Sequence, residues 1–307
     1  MQKLRQIARN INPEAFPRLA EPMSRHTWFA IGGPADLYVS PRDAEELRGV
    51  YALAFAEGLP CFLLGAGANI LVSDRGVRGL VIDLGRLGGI GIEGDRLTAG
   101  AGVAMSDLAD TASAAGLAGL ESFHAMPGHV GGSVWMNARC YERSVSDCLE
   151  SVDLLTPRLE VEIVRRSDGF YDYKRSPFQA RDGVILRATF RLRPGADPAG
   201  LEARMREIRA DRERKGHFLY PCAGSMFKNN RSFGMPSGRL IDRLGFRGRR
   251  IGGAMVSELH ANIIVNAGGA TATEVDSLAR EIERRVKEEH GFDLEREVLL
   301  VGDWPDR

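Results

Sequence analysis

A chain of 307 residues with 41 Lys plus Arg against 41 Asp plus Glu carries no formal net charge. That length admits two domains of ordinary size with well-buried cores, and the charge balance leaves no global field to recruit nucleic acid or an anionic membrane. The opening MQKLRQIARN lacks the apolar run of a signal peptide, and no stretch approaches the roughly 18 uncharged apolar residues of a membrane span, so a cytoplasmic protein without membrane insertion is expected.

In chain order, FAIGGPADLYVSP (29–41) places two glycines ahead of a strand. Residues 43–57 set Leu47, Val50, Tyr51 and Ala54 on one helical face, with Gly58 as the stop. CFLLG follows as a buried strand and leads into LLGAGANILVSDRG (63–76). Gly65 and Gly67, directly after the apolar run, suit a backbone that comes close to an anionic group. Neither phosphate-loop template fits: the dinucleotide fingerprint needs a third glycine where Ile70 stands, and a Walker loop needs Gly-Lys-Ser/Thr. GLVIDLG (79–85) and RLTAGAGV (96–103) are further short strands, and SDLADTASAAG (106–116) is a small-residue helix closed by Gly116.

MPGHVGGSVWMNA (126–138) packs three glycines and a proline into seven residues, which predicts a shaped loop rather than a helix or strand. YDYKRSPF (171–178) reads as a strand that sends Lys174 and Arg175 to opposite faces. In GVILRATFRLRP the residues Val184, Leu186, Ala188, Phe190 and Leu192 alternate with Ile185, Arg187, Thr189, Arg191 and Arg193, the pattern of a strand with one face in the core. A linker composition follows at 193–200, then a helix over roughly 199–214 that is amphipathic on Leu201, Met205 and Ile208. ANIIVN is a strand, Thr271 and Glu274 form a capping box ahead of a helix burying Val275, Leu278, Ile282 and Val286, and EVLLVG makes a final strand. The irregular spacing of strands and helices excludes a doubly wound sheet and predicts an α+β protein with a boundary near residue 195.

Several residues invite chemistry. AGSMFKNN (223–230) puts Lys228 three residues after Ser225, the S-x-x-K spacing of penicillin-recognising serine enzymes, but the companion motifs are missing. Ser225 alone is equally the hydroxyl of a turn cap. LEREV (294–298) offers Glu295 and Glu297 on one face with Arg296 opposite; paired carboxylates serve acid/base work or keep an edge strand soluble. The six histidines show no metal-ligand spacing, and Cys61, Cys140, Cys148 and Cys222 form no C-x-x-C pair, so no metal and no disulfide framework is assigned.

Read together, FAIGGPADLYV, LLGAGANILVSDRGVRGLVI, MPGHVGGSVWMNA, YDYKRSPF, CAGSMFKN, RLIDRLGFRGRRIGGAMVSELHANIIVN, ATATEV and LEREVLLVG resemble, in order and spacing, the UDP-N-acetylenolpyruvoylglucosamine reductase family from about residue 20 to 302. The resemblance implies an FAD-dependent, NADPH-consuming enzyme of peptidoglycan precursor synthesis. It implies an FAD-binding domain of the vanillyl-alcohol-oxidase type over 1–195, in lobes of about 1–65 and 66–195, and a substrate-binding α+β domain over 196–307.

By the same resemblance the flavin contacts come from Ile31, Gly32 and Gly33, from Leu64, Gly65, Ala66, Gly67, Ala68 and Asn69 around the pyrophosphate, and from Pro127, Gly128, His129, Gly131, Gly132 and Ser133. The UDP-sugar substrate is assigned to Tyr173, Lys228, Asn229, His260 and Asn262. Hydride goes to C3 of the enolpyruvyl ether, Ser225 protonates C2, and a glutamate with an arginine favours the enolate. The glutamate maps to Glu297, with Glu295 as second choice. Where the family reads Tyr-Arg-x-Ser, this chain reads Tyr173-Lys174-Arg175-Ser176, so either Lys174 or Arg175 fills the arginine role. His129 stands where a small hydroxyl residue is usual. The short span from Ser176 to Ser225 resembles the branch without the extra tyrosine loop, and a monomer is expected. The alternatives are a related flavoenzyme that oxidises a small alcohol, and a non-catalytic nucleotide-binding protein.

Overall fold

The computed structural model describes residues 2–305. They form two units, each assembled from separate stretches: the first runs through Leu19, then Leu37–Ala66 and Gly79–Ala210, and the second takes Ala20–Asp36, Gly67–Arg78 and the chain from Asp211 on.

The chain begins with α1 (Gln2–Asn10), β1 (Arg18–Pro22), β2 (Pro34–Val39) and α2 (Ala44–Ala56). The expected helix at 43–57 is α2: the Asp43 carboxylate accepts from the Glu45 and Glu46 amides at 3.0 and 2.9 Å, and Leu47, Val50 and Ala54 are buried. Next come β3 (Cys61–Leu64), β4 (Ile70–Val72) and β5 (Val77–Asp83). Strand β3 lies parallel to β5, from Cys61 opposite Leu80 to Leu64 opposite Asp83, in a sheet of order β1-β2-β5-β3.

The body of the first unit follows: β6 (Ile90–Glu93), β7 (Arg96–Gly100), α3 (Met105–Ala114), α4 (Val130–Trp135), β8 (Arg139–Cys140), β9 (Arg143–Ser144), β10 (Leu149–Leu155), β11 (Val161–Arg165) and β12 (Val184–Arg191). An antiparallel five-stranded sheet of order β11-β10-β12-β7-β6 carries its core. The alternation read in β12 holds from Leu186 on: Leu186, Ala188 and Phe190 are buried while Arg187 and Arg191 stay exposed, but Ile185, expected on the other face, is buried along with Val184. They pack with Leu97, Leu108 and Phe123. Segment 126–138 departs from expectation, because α4 is a short helix and not a loop. Glycine's low helix propensity is overridden by packing: a Cβ on Gly131 would sit 2.9 Å from the Ala101 Cβ, so only glycine lets the helix approach that closely.

The remaining elements are α5 (Pro198–Arg214), β13 (Cys222–Ser225), α6 (Ser237–Arg243), β14 (Arg250–Ile251), β15 (Ala254–Val256), β16 (Ile263–Asn266), α7 (Ala272–His290) and β17 (Leu299–Val301). The change of unit in this half falls within α5, at 210/211, while the proline- and glycine-rich stretch 193–200 runs into the start of that helix. In the second unit β13-β16-β15-β14 form an antiparallel sheet, and α7 buries Val275, Leu278, Ile282 and Val286 in a core with Phe227, Ile241 and Val256. Its capping box is formed as read, Thr271 Oγ1 accepting from the Glu274 amide at 3.1 Å and a Glu274 carboxylate oxygen accepting from the Thr271 amide at 3.0 Å. Strand β4 also belongs to this unit, pairing in parallel with β17 from Ile70 opposite Leu299 to Val72 opposite Val301.

Candidate active site

The glycine loop after β3 has two kinds of glycine. Gly67, with φ at 65°, lies against the chain: a Cβ there would be 2.2 Å from the His26 carbonyl oxygen. The Trp28 amide donates to the Gly67 carbonyl at 3.1 Å, so this glycine is demanded by the packing of residues 26–28. At Gly65 an added Cβ would meet nothing within 4 Å, and this position is open to a ligand. The backbone N–H groups of Gly65, Ala66, Gly67 and Ala68 find no acceptor among the described residues. A run of unspent donors of this kind suits an anionic, acceptor-rich group. Gly32 and Gly33 are packing glycines against Val72 and Asp74, and Ile31 is buried in the second unit's core. Asn69 is committed elsewhere: its side-chain amide donates to the Glu297 carbonyl at 3.0 Å, and its own carbonyl accepts from the Leu299 amide at 3.0 Å. These two bonds tie the end of the loop to the glutamate segment.

Within the first unit Leu64 closes β3, and its carbonyl accepts from Leu84 at 2.8 Å. Tyr38 donates to the Asp83 carboxylate, whose other oxygen accepts from the Gly85 amide at 2.8 Å. The His129 ring lies against Gly85, where a Cβ would come within 3.3 Å of its Cε1. Burial lowers the His129 pKa against the opposing pull of Asp83 and Asp107, so the ring is neutral at pH 7. Its Nδ1 is buried without a partner among the described residues. Gly132 is open, and buried Ser133 donates its amide to the His129 carbonyl at 3.0 Å. Pro127 and Gly128 lead into α4, with the Gly128 carbonyl accepting from Met105 at 3.0 Å. Within the first unit, the unspent backbone donors of Gly65 and Ala66, the open positions at Gly65 and Gly132 and a neutral imidazole fit a bound dinucleotide cofactor.

YDYKRSPF is a tight turn and not a strand. Asp172 and Arg175 exchange backbone hydrogen bonds at 3.1 and 3.0 Å, which puts Tyr173 and Lys174 at the tip, Lys174 at φ 57°. Asn137 Nδ2 holds the Asp172 carbonyl at 2.8 Å, Gln179 Nε2 holds that of Lys174 at 3.1 Å, and Ser176 Oγ donates to Trp135 at 2.6 Å. Lys174 is half-buried and Arg175 exposed. A side chain held at positive φ by this many contacts is the kind of local strain found at functional positions.

In the second unit Ser225 ends β13 opposite Ile263 and is half-buried. Its hydroxyl caps no turn among the described residues. The chain beyond it runs antiparallel to 295–298: Phe227 pairs with Arg296, the Glu297 amide donates to Met226 at 2.8 Å, and the Lys228 amide donates to Glu295 at 2.8 Å. Glu297 is thereby fixed opposite the residue after Ser225. The Glu295 carboxylate is paired with the Lys228 ammonium at 2.6 Å. Asn262 is buried, and both ends of its amide are spent on Phe227, Nδ2 donating to the carbonyl at 2.8 Å and Oδ1 accepting from the amide at 3.0 Å. The amide thereby clasps the Ser225 segment. His260 Nδ1 accepts from the Asn262 amide at 3.3 Å, and Asn229 Oδ1 accepts from Ser237 at 2.9 Å, so both are partly occupied by structural bonds. Sequence reasoning missed the partners of Arg296: it is pinned by Asp276 and Glu283 of α7. Only the charge at each position was visible in sequence.

Residues 35–164 match the FAD binding domain family, and residues 216–301 match the family described as UDP-N-acetylenolpyruvoylglucosamine reductase, C-terminal domain. An FAD-binding domain joined to a second α+β domain defines a flavoprotein oxidoreductase. The UDP-N-acetylenolpyruvoylglucosamine reductase of Shouchella clausii is 40% identical over 291 residues, covering 95% of this chain and 93% of the relative. That of Treponema denticola is 39% identical over 301 residues, covering 92% and 93%. The crystal structure of UDP-N-acetylenolpyruvylglucosamine reductase from Thermus caldophilus matches with a TM-score of 0.77 at 34% identity, over 93% of this chain and 98% of that one. The chain belongs to the UDP-N-acetylenolpyruvoylglucosamine reductase family. Among the described residues no helix is long and apolar enough to cross a membrane.

Proposed function

We propose that this chain reduces UDP-N-acetylglucosamine enolpyruvate to UDP-N-acetylmuramate at the expense of NADPH, as a cytoplasmic monomer. When bound, FAD reduced by NADPH supplies the hydride that reaches C3 of the enolpyruvyl ether. The electron pair then resides on the substrate as an enolate of its carboxylate, and C2 must be protonated. Ser225 Oγ–H is the donor; a hydroxyl is a weak acid, but a carbanion-like enolate is a strong enough base to take its proton. Glu297, as the protonated acid, stabilises the enolised carboxylate by donating a hydrogen bond to it. Lys174, half-buried at the tip of its turn, supplies the cation in preference to exposed Arg175. Lys228, already paired with Glu295, lies three residues beyond Ser225 and steadies the alkoxide that proton loss creates.

The observation that carries this reading is the backbone register that sets Glu297 opposite Met226, next to a serine whose hydroxyl is unspent. It is tested on the purified protein. Oxidised flavin absorbance, together with NADPH oxidation that depends on the enolpyruvyl substrate, is expected; bound flavin with no substrate-dependent NADPH oxidation would overturn it.

A further inference from the structure

The chain between α7 and β17 has no regular structure except one bridge, Phe227 to Arg296, yet it carries Glu297. A single bridge specifies register weakly, and a slip of one residue would turn both glutamates to the opposite side. What resists the slip is a side chain. Arg296 Nε and Nη2 bond the two oxygens of Glu283 at 2.6 and 3.1 Å, and Nη1 bonds Asp276. Asp276 is held from its other oxygen by Arg280 Nε at 2.7 Å. Asp276 and Glu283 lie two turns apart on one face of α7, the helix whose apolar residues build the second unit's core. The Arg296 side chain is 14% exposed and the Asp276 side chain 10%. Burial disfavours the charge on Arg296, but its hydrogen bonds to Glu283 and Asp276 outweigh that and raise its pKa, so the fork stays charged. A buried ion network contributes little net stability compared with apolar side chains of the same volume, and fixing position is its best-attested use.

We propose that Arg296 is a positioning residue for the reaction: clamped between Asp276 and Glu283, it fixes the register and depth at which residues 294–298 present Glu297 alongside the Ser225 segment. Lysine cannot replace it fully, because a point charge lacks the fork that reaches two carboxylates on successive sides. This inference rests on the function proposed above.

The test uses the flavin-loaded enzyme and three proteins: wild type, the charge-balanced double variant Arg296→Met with Glu283→Gln, and Arg296→Lys. Asp276 keeps Arg280 in each. In the double variant, flavin content, melting temperature and the rate of flavin reduction by NADPH are expected to stay near wild type. Reoxidation by the enolpyruvyl substrate should slow on the order of 10–100-fold, the cost of a displacement near one ångström. Substrate affinity, measured calorimetrically, should change by no more than a few-fold, and Arg296→Lys should lie between. Wild-type reoxidation by the double variant would overturn the inference, as would a fall in both half-reactions in proportion to lost flavin. Should the double variant fail to fold, the same comparison is made with Arg296→Lys, whose charge is kept, and a wild-type rate there overturns it. A wild-type enzyme that is not reoxidised by this substrate would instead overturn the proposed function itself, an outcome visible before any variant is made.

Discussion

The side-chain amide of Asn69 donates to the main-chain carbonyl of Glu297 at 3.0 Å, across 228 residues of sequence. With the Leu299 amide returning to the Asn69 carbonyl, the end of the glycine loop and the glutamate segment are joined as one ladder within the second unit. Asn69→Ala should therefore cost about 1 kcal/mol of stability, the net worth of one such bond, while leaving flavin content intact. Asn69→Asp should cost more, about 2 kcal/mol, because a carboxylate only accepts and would face a carbonyl oxygen. Chemical denaturation with parallel flavin quantification checks both, and equal stability of the two variants would remove the bond from the account.

Gly65 and Gly67 separate the ligand from the fold. Gly67→Val places a Cβ 2.2 Å from the His26 carbonyl in a left-handed conformation, so it should destabilise even the flavin-free protein by more than about 3 kcal/mol. In Gly65→Val the added Cβ meets no atom within 4 Å. The apoprotein should then stay within about 0.5 kcal/mol of wild type while FAD affinity falls. Titrating both refolded apoproteins with FAD decides it; unchanged affinity at position 65 would exclude this loop from the cofactor site.

The cation at the 172–175 turn gives a ranking. If Lys174 acts, Lys174→Ala should reduce turnover on the order of 100-fold or more, the scale of losing a charge-stabilising group, and Arg175→Ala should change it little. Lys174→Arg should hold or raise activity by offering a bidentate grip. Steady-state kinetics with the enolpyruvyl substrate would reveal the reverse order if Arg175 is the working residue.

Local signals were legible where local physics decides the structure. The Thr271–Glu274 capping box, the Asp43-capped helix and the two-residue alternation of β12 each follow from neighbours within a few positions. The glycine-rich α4 and the turn at Lys174 were misread, because long-range contacts decide them: Ala101 against Gly131, and Asn137 and Gln179 around the turn. The candidate site was legible as residue types and spacing, and Ser225 and Glu297 do fall on paired segments. The long-range bonds of side chains were invisible: nothing local shows that Asn262 clasps Phe227 or that Asn69 Nδ2 bonds Glu297. Nor does any periodicity reveal that Arg296 answers Asp276 and Glu283.

A pH effect follows from His217, which lies 6.0 Å from the His260 ring. Burial, then the neighbouring Arg212, His260 and Lys215, pushes its pKa down to about 3. The unfolded chain takes up this proton near pH 6.5 and the folded chain does not until near pH 3, so between those values the unfolded state binds more protons and stability falls as the pH falls. Above pH 6.5 the contribution is fully present. His217→Gln removes the titration, so its melting temperature should drop less than that of wild type between pH 7 and pH 4.5, by on the order of a few degrees. Parallel pH profiles of the two proteins would show the proton to be taken up in the folded state.

The two half-reactions isolate Ser225. Reduction of bound flavin by NADPH needs no proton from this residue, whereas quenching the substrate enolate at C2 does. Ser225→Ala should therefore be bleached by NADPH at a near-normal rate and then be reoxidised by the enolpyruvyl substrate on the order of 10²–10⁴ times more slowly, the usual worth of a positioned general acid. Because the hydroxyl caps no backbone group among the described residues, the variant should unfold within about 0.5 kcal/mol of wild type. Substrate affinity should hardly move, since a lost hydroxyl removes few ground-state contacts. A turn-capping serine would give the opposite pattern, lost stability with both half-reactions intact. Stopped-flow absorbance at the flavin band reads each step separately; reoxidation at the wild-type rate would show that the proton comes from another group, and Glu297, opposite Met226, would then be the next residue to replace.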